Sequence, residues 1–190
     1  SRDFAKVKSF MYSEPAAFET LLAKLSTTMA GYLKAQVAAG ASAVQLFDSW
    51  VGALAVEDYE ASVLPHTRAI FDALKPVEVP RIHFGTDTAG LLESITSTGP
   101  DIVSLDWRVP LDAGWRRVGH DRGIQGNLDP AVLLGPPELV RERARDVLRR
   151  ANGRPGHIFN LGHGVLPSTP LENLHVLVET VHEWQVARVG

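Results

Sequence analysis

Phe159-Asn160-Leu161-Gly162-His163-Gly164 follows the apolar residue Ile158 and precedes Thr169-Pro170-Leu171-Glu172. A short apolar run that breaks into a Gly-His-Gly turn and then meets a capping-box pattern reads as strand, turn and helix. Glycine tolerates φ > 0 and lets backbone approach closely, so His163 between two glycines can bring imidazole and bare amide groups up to a ligand. The competing reading is a tight turn whose histidine faces water. Whether the fold is built from such units depends on how often the pattern recurs upstream.

It recurs throughout. Ala43-Val44-Gln45-Leu46-Phe47 is a strand ending in Asp48-Ser49-Trp50, and Glu57 to Leu74 is a helix expected to break at Pro65. Arg81-Ile82-His83-Phe84 is a strand stopped by Gly85, with a short helix from Ala89 to Thr98. Ile102-Val103-Ser104-Leu105 ends in Asp106-Trp107, and Leu111 to Val118 is amphipathic. A brief strand around Gly123-Ile124-Gln125 runs into Gly126-Asn127-Leu128-Asp129-Pro130. Pro137 to Ala151 is helical, with a buried stripe of Val140, Ala144, Val147, Leu148 and Ala151. Its arginines alternate with Glu138, Glu142 and Asp146 at three- and four-residue spacing, which makes an ion-paired solvated face rather than a phosphate patch. The final strand is His157 to Asn160. Thr169 and Glu172 cap a helix whose apolar stripe is Leu174, Leu177, Val178 and Val181. One long helix, Pro15 to Ala39, precedes all of these units.

Alternating strands and helices imply an α/β fold with parallel strands and right-handed crossovers. Two layouts fit, an open doubly wound sheet and a closed (β/α)₈ TIM barrel. Five units do not close a barrel of eight, which typically takes about 250 residues. Ser1 in place of methionine and the abrupt first helix lead to the expectation that three further units precede this chain.

The bulk numbers bound the function. At 190 residues with 45% hydrophobic and 22% charged residues, the chain is an ordinary single globular domain. A net charge of -3 makes no general case for nucleic acid or an anionic membrane. No apolar run reaches the 18 or more residues of a membrane span. Zero cysteines remove disulfide and thiolate chemistry, and the seven histidines show no H-E-x-x-H pattern, so no metal site is expected. Neither G-x-G-x-x-G nor a P-loop occurs, so nucleotide cofactors have no footing.

In either layout, ligands bind beyond the carboxyl ends of the parallel strands. Ser49 lacks a G-x-S-x-G elbow and so reads as a hydroxyl donor to a substrate carboxylate or as the cap of the next helix. Asp48, Asp106 and Asp129 are candidate acid/base carboxylates or local caps of backbone amides. Phe47 either packs on a flat ligand or belongs to the core. Trp50 and Trp107 read as lids over the rim, and His83 as a hydrogen-bonded core histidine.

These strand ends resemble those of the carboxyl-terminal portion of uroporphyrinogen decarboxylases. The matching stretches are Tyr32-Leu33 with Gln36-Val37-Ala38-Ala39-Gly40-Ala41, then Gln45-Leu46-Phe47-Asp48-Ser49-Trp50 and Leu105-Asp106-Trp107. They continue through Gln125-Gly126-Asn127-Leu128-Asp129-Pro130 and Phe159-Asn160-Leu161-Gly162-His163-Gly164. The resemblance implies that residues 1–190 are the carboxyl-terminal part of a single (β/α)₈ barrel domain. It implies removal of the four acetate carboxyl groups of uroporphyrinogen to give coproporphyrinogen, with no metal or organic cofactor, by a cytoplasmic homodimer. It assigns substrate binding to Ser49 and His163, with Phe47 lining the same cleft. The family's arginine-rich segment, its cation-stabilising aspartate and its substrate-contacting tyrosine match nothing here, so the catalytic groups are expected before Ser1 and this segment alone is expected to be inactive. Two alternatives remain, a corrinoid-dependent methyltransferase of the same barrel superfamily and a non-catalytic tetrapyrrole-binding partial barrel.

Overall fold

The computed structural model describes residues 4–184. Helices α1 (Ala5–Ser13) and α2 (Pro15–Ala38) lead into the repeating units. These are β1 (Val44–Asp48) with α3 (Val56–Ser62) and α4 (Leu64–Ala73), and β2 (Arg81–Gly85) with α5 (Leu92–Ser97). Then come β3 (Ile102–Ser104) with α6 (Leu111–Val118), β4 (Gly123–Leu128) with α7 (Pro137–Ala151), and β5 (His157–Leu161) with α8 (Leu171–His182). The strands form one sheet in the order β1-β2-β3-β4-β5, and β1 with β2 and β4 with β5 run parallel. A doubly wound sheet reverses its strand order at a switch point, whereas a barrel sets each new strand beside the last. Order without reversal favours the barrel.

The chain divides into two compact units, Ser1–Val103 and Ser104–Gly190. In the first, Val44 and Leu46 of β1 pack with Ala30 and Leu33 of α2 and with Ile70, Phe71 and Leu74 at α4. Strand alternation puts Asp48 on this helix-facing side and Phe47 on the other. In the second, α7 buries Val140, Ala144, Val147, Leu148 and Ala151, the stripe read from the sequence. Its polar face is ion-paired as expected, with Asp146 bonded to Arg149 and Arg150 at 3.2 and 2.7 Å.

Several boundaries differ from expectation for physical reasons. The break in the third helical segment falls at Val63 rather than Pro65. Proline sits in the first turn of α4, where its missing N–H leaves no bond unmade. Helix α1 lacked an apolar period strong enough to predict, and only Met11 of it is buried. Strand β4 extends to Leu128. Gly126, at φ 134° with the Leu105 carbonyl oxygen 2.8 Å from where a Cβ would stand, is a strand glycine at a close backbone approach rather than a strand end. The Thr169–Glu172 capping box does not form: Pro170 is the cap residue, no side chain caps α8, and the Thr169 hydroxyl is buried without a hydrogen-bond partner among the described residues. The buried stripe of α8 is rotated, taking in Asn173, Val176, Leu177 and Thr180, while Val178 is exposed. Asn173 is drawn inward because its amide donates to the carbonyls of Leu133 and Gly135, each at 2.8 Å.

Candidate functional site

In the first unit the strand end Phe47-Asp48-Ser49 is tied to the end of β2. Phe47 stands opposite Phe84 in register and meets it edge-on at 5.8 Å. Among the described residues it is 68% exposed, so nothing within this chain buries it and its large apolar ring is open for contact. The Ser49 carbonyl accepts from the Thr86 amide at 3.3 Å and from the Thr86 hydroxyl. The one-turn 3-10 helix Val51–Ala53 follows, and it has no side-chain cap, so Ser49 does not serve as the cap of that turn. Gly52 in this turn lies against the backbone of Thr86 and Asp87 so closely that a Cβ would overlap both.

Asp48 points behind the strand, and burial pushes its carboxyl up to about 6. His83 is a core residue, 1% exposed, and burial holds its imidazole down to about 4. Contrary to the sequence reading, neither ring nitrogen has a hydrogen-bond partner among the described residues. Trp50 is 62% exposed and its ring lies 6.0 Å from that of Phe4.

In the second unit the carboxylates serve local structure. Asp106 is buried and accepts from the Arg108 amide at 3.0 Å and the Arg108 guanidinium at 2.7 Å. The same guanidinium stacks 4.3 Å over Trp107. Asp129 accepts from the Ala131 amide at 2.9 Å and so caps the 3-10 helix Pro130–Leu134. Asn127 donates to the Asp106 and Val109 carbonyls at 2.8 and 2.6 Å, clamping the end of β4 to the loop after β3. Trp107, Arg108, Asn127 and Asp129 line a cleft of about 230 Å³ with Arg143 and Arg150 of α7.

His163 is half-buried. The Gly164 amide donates to its Nδ1 at 2.6 Å, which in the neutral ring places the proton on Nε2 and makes that nitrogen a donor. Of the two flanking glycines only Gly162 is required by space: a Cβ there would stand 2.6 Å from the Trp107 amide nitrogen, whereas among the described residues nothing lies within 4 Å of one on Gly164. Neither has a positive φ. Close approach, not an unusual dihedral, is what the turn needs.

Arg108 and Tyr59 went unread in the sequence. Asp106-Trp107-Arg108 carried a usable sign, since an arginine two residues after a strand-end aspartate can fold back on it. Tyr59 carried none, because its surroundings come from β1 and α4. Among the described residues no three His, Asp or Glu side chains converge as metal ligands, and no helix is long and apolar enough to cross a membrane.

Comparison with known proteins bears on these strand ends directly. The family model for uroporphyrinogen decarboxylase matches residues 1–184. The chain is 51% identical over 183 residues to the uroporphyrinogen decarboxylase of Carboxydothermus hydrogenoformans, covering 96% of this chain and 52% of that protein. It is 53% identical over 182 residues to that of Thermobifida fusca, covering 96% and 50%. With that of Koribacter versatilis it shares 50% over 191 residues, covering 100% and 54%. The chain thus spans about half the length of the curated relatives it matches. Among solved structures, a methyltransferase from Methanosarcina mazei superposes with a TM-score of 0.81 at 21% identity, covering 93% of this chain and 53% of that one. At that identity the likeness speaks for the fold alone. A sequence match that runs through both units and every strand end described above places the chain in one family: it belongs to the uroporphyrinogen decarboxylases.

Proposed function

We propose that this chain takes part in the decarboxylation of uroporphyrinogen to coproporphyrinogen, losing CO₂ from each of four acetate side chains. The observation that carries the reading is identity near one half to proteins named for that activity, along 96% of the chain. Loss of CO₂ from a pyrrole acetate requires prior protonation of the pyrrole, so that the electrons of the breaking bond enter an electron-poor ring. A methylene carbon is then reprotonated to methyl. The protein must hold many carboxylates and stabilise a developing cation. In this reading the Ser49 hydroxyl and His163 Nε2–H each donate to a substrate carboxylate, and the exposed ring of Phe47 packs on the tetrapyrrole face. The groups that stabilise the cation lie in the portion matching the other half of the relatives, and the 190 residues alone do not turn over.

The same reading has the protein work as a cytoplasmic homodimer, without metal or organic cofactor, within a single barrel domain. The methyltransferase alternative is not favoured, because likeness to such a protein is confined to the fold.

The test is coproporphyrinogen formation by the protein of full family length. Ser49→Ala and His163→Leu are each expected to lower kcat/KM by about ten- to hundredfold, the loss of one hydrogen bond to a charged group. Variants that match the parent would remove both residues from the site. Turnover by the 190 residues alone, at the rate of the longer protein, would refute the assignment of the catalytic groups to the other half.

A further inference from the structure

Behind the strand end that carries Phe47 and Ser49 lies a group of buried polar atoms that the proposed chemistry does not use. His83 Nε2 stands 4.0 Å from Asp48 Oδ2, too far for a hydrogen bond and near enough for one water or a small side-chain shift to close. Both ring nitrogens of His83 and the hydroxyl of the fully buried Tyr59 lack partners among the described residues. Burial, and after it the charge of Asp48, raises the Tyr59 hydroxyl well above the ordinary tyrosine value. Thr67 of α4 approaches that hydroxyl without closing a hydrogen bond of regular geometry. Asp48 also lines a cleft of about 150 Å³ with Ser26 of α2 and with His66 and Thr67 of α4. Arg68 of α4 is the cation whose charge reaches Tyr59. Orphaned buried polar atoms cost stability, and one of them 4.0 Å from a carboxyl group whose charge also reaches Tyr59 asks for a role beyond packing.

We propose that Asp48 is a positioning residue: with His83 and Tyr59 it anchors the strand end bearing Phe47 and Ser49, so that the proton it carries sets how that end receives a carboxylate ligand. The carboxylate ligand rests on the decarboxylase reading; the anchoring does not. Protonated Asp48 donates to Nε2 of a neutral His83 whose own proton is on Nδ1. Ionised Asp48 accepts from Nε2–H, so the imidazole changes tautomer and never becomes a cation. In the second state a negative charge sits directly behind Ser49 and opposes an anionic ligand there.

Two measurements on the full-length protein test this. Porphyrin affinity followed from about pH 5 to 8 is expected to weaken by about threefold or more as Asp48 ionises, while Asp48→Asn holds the low-pH affinity across the range. Matching pH profiles for the two proteins would overturn the proposal. The second measurement needs no ligand and no variant at Asp48: ¹⁵N NMR of His83, assigned by its loss in His83→Gln. The expected result is a neutral ring throughout, with the proton passing from Nδ1 to Nε2 around the Asp48 midpoint of about 6. A ring that becomes doubly protonated there, or that keeps one tautomer, overturns the anchoring. If porphyrin binds at no pH, the decarboxylase reading falls and the tautomer result alone decides the anchoring.

Discussion

A single buried proton shows how far one residue's environment governs this molecule. The His83 side chain is fully enclosed, and burial lowers its imidazole to about 4, so between that value and the ordinary 6.5 the unfolded chain binds a proton that the folded chain does not. Stability therefore falls as pH drops through that window, by up to about 3 kcal/mol. Asp48 runs the opposite way. Its carboxyl is raised to about 6, the folded chain holds the extra proton between the ordinary carboxylate value and 6, and stability rises as pH drops. In the parent protein the two contributions offset. Asp48→Asn removes one of them, so the expected outcome is a urea midpoint that falls more steeply from about pH 6.5 to pH 4.5 in the variant than in the parent. Parallel pH dependence would mean that the folded chain holds no extra proton on Asp48.

Among elements, the turn after β5 separates two glycines that look alike in sequence. Gly162 lies against the Trp107 backbone, and no described residue comes within 4 Å of a Cβ on Gly164. Gly162→Ala is expected to cost about 1–3 kcal/mol, because backbone cannot move aside as a flexible side chain can. Gly164→Ala is expected to stay within about 0.5 kcal/mol of the parent. Denaturant midpoints of the two variants measure the difference, and equal tolerance would dismiss the close-packing account of the turn. The failed capping box at Thr169 teaches the same lesson. A local pattern specifies a helix start only when the helix begins there, and here Pro170 with its fixed φ takes the cap position.

At the scale of the molecule, β1 and β5 close the two ends of the strand order, so among the described residues each has a sheet neighbour on one side. Phe47 of β1 and Ile158 of β5 are among the exposed large apolar residues, as are Leu171 and Val178 of α8. Unpaired edges beside exposed apolar side chains favour association. The 190 residues prepared alone are expected to self-associate with rising concentration in sedimentation velocity and to bind a hydrophobic dye. A monodisperse monomer with no dye binding would show that these edges are protected.

The alternation of strands and helices, the stripe of α7 and the ends of β1, β2, β3 and β5 were legible in the sequence, because each rests on a local period or a breaker residue. So was the family, since stretches such as Phe47-Asp48-Ser49 and Gly162-His163-Gly164 resemble the family's in order and spacing along the chain. Only the tertiary structure decided that Phe47 is exposed among the described residues, that Asp106 is bonded to Arg108, that Gly162 rather than Gly164 needs to be glycine, and that His83 approaches Asp48. Each of those depends on which atoms arrive from other elements. Burial, ion pairing and pKa follow from neighbours in space, and a linear pattern names only neighbours along the chain.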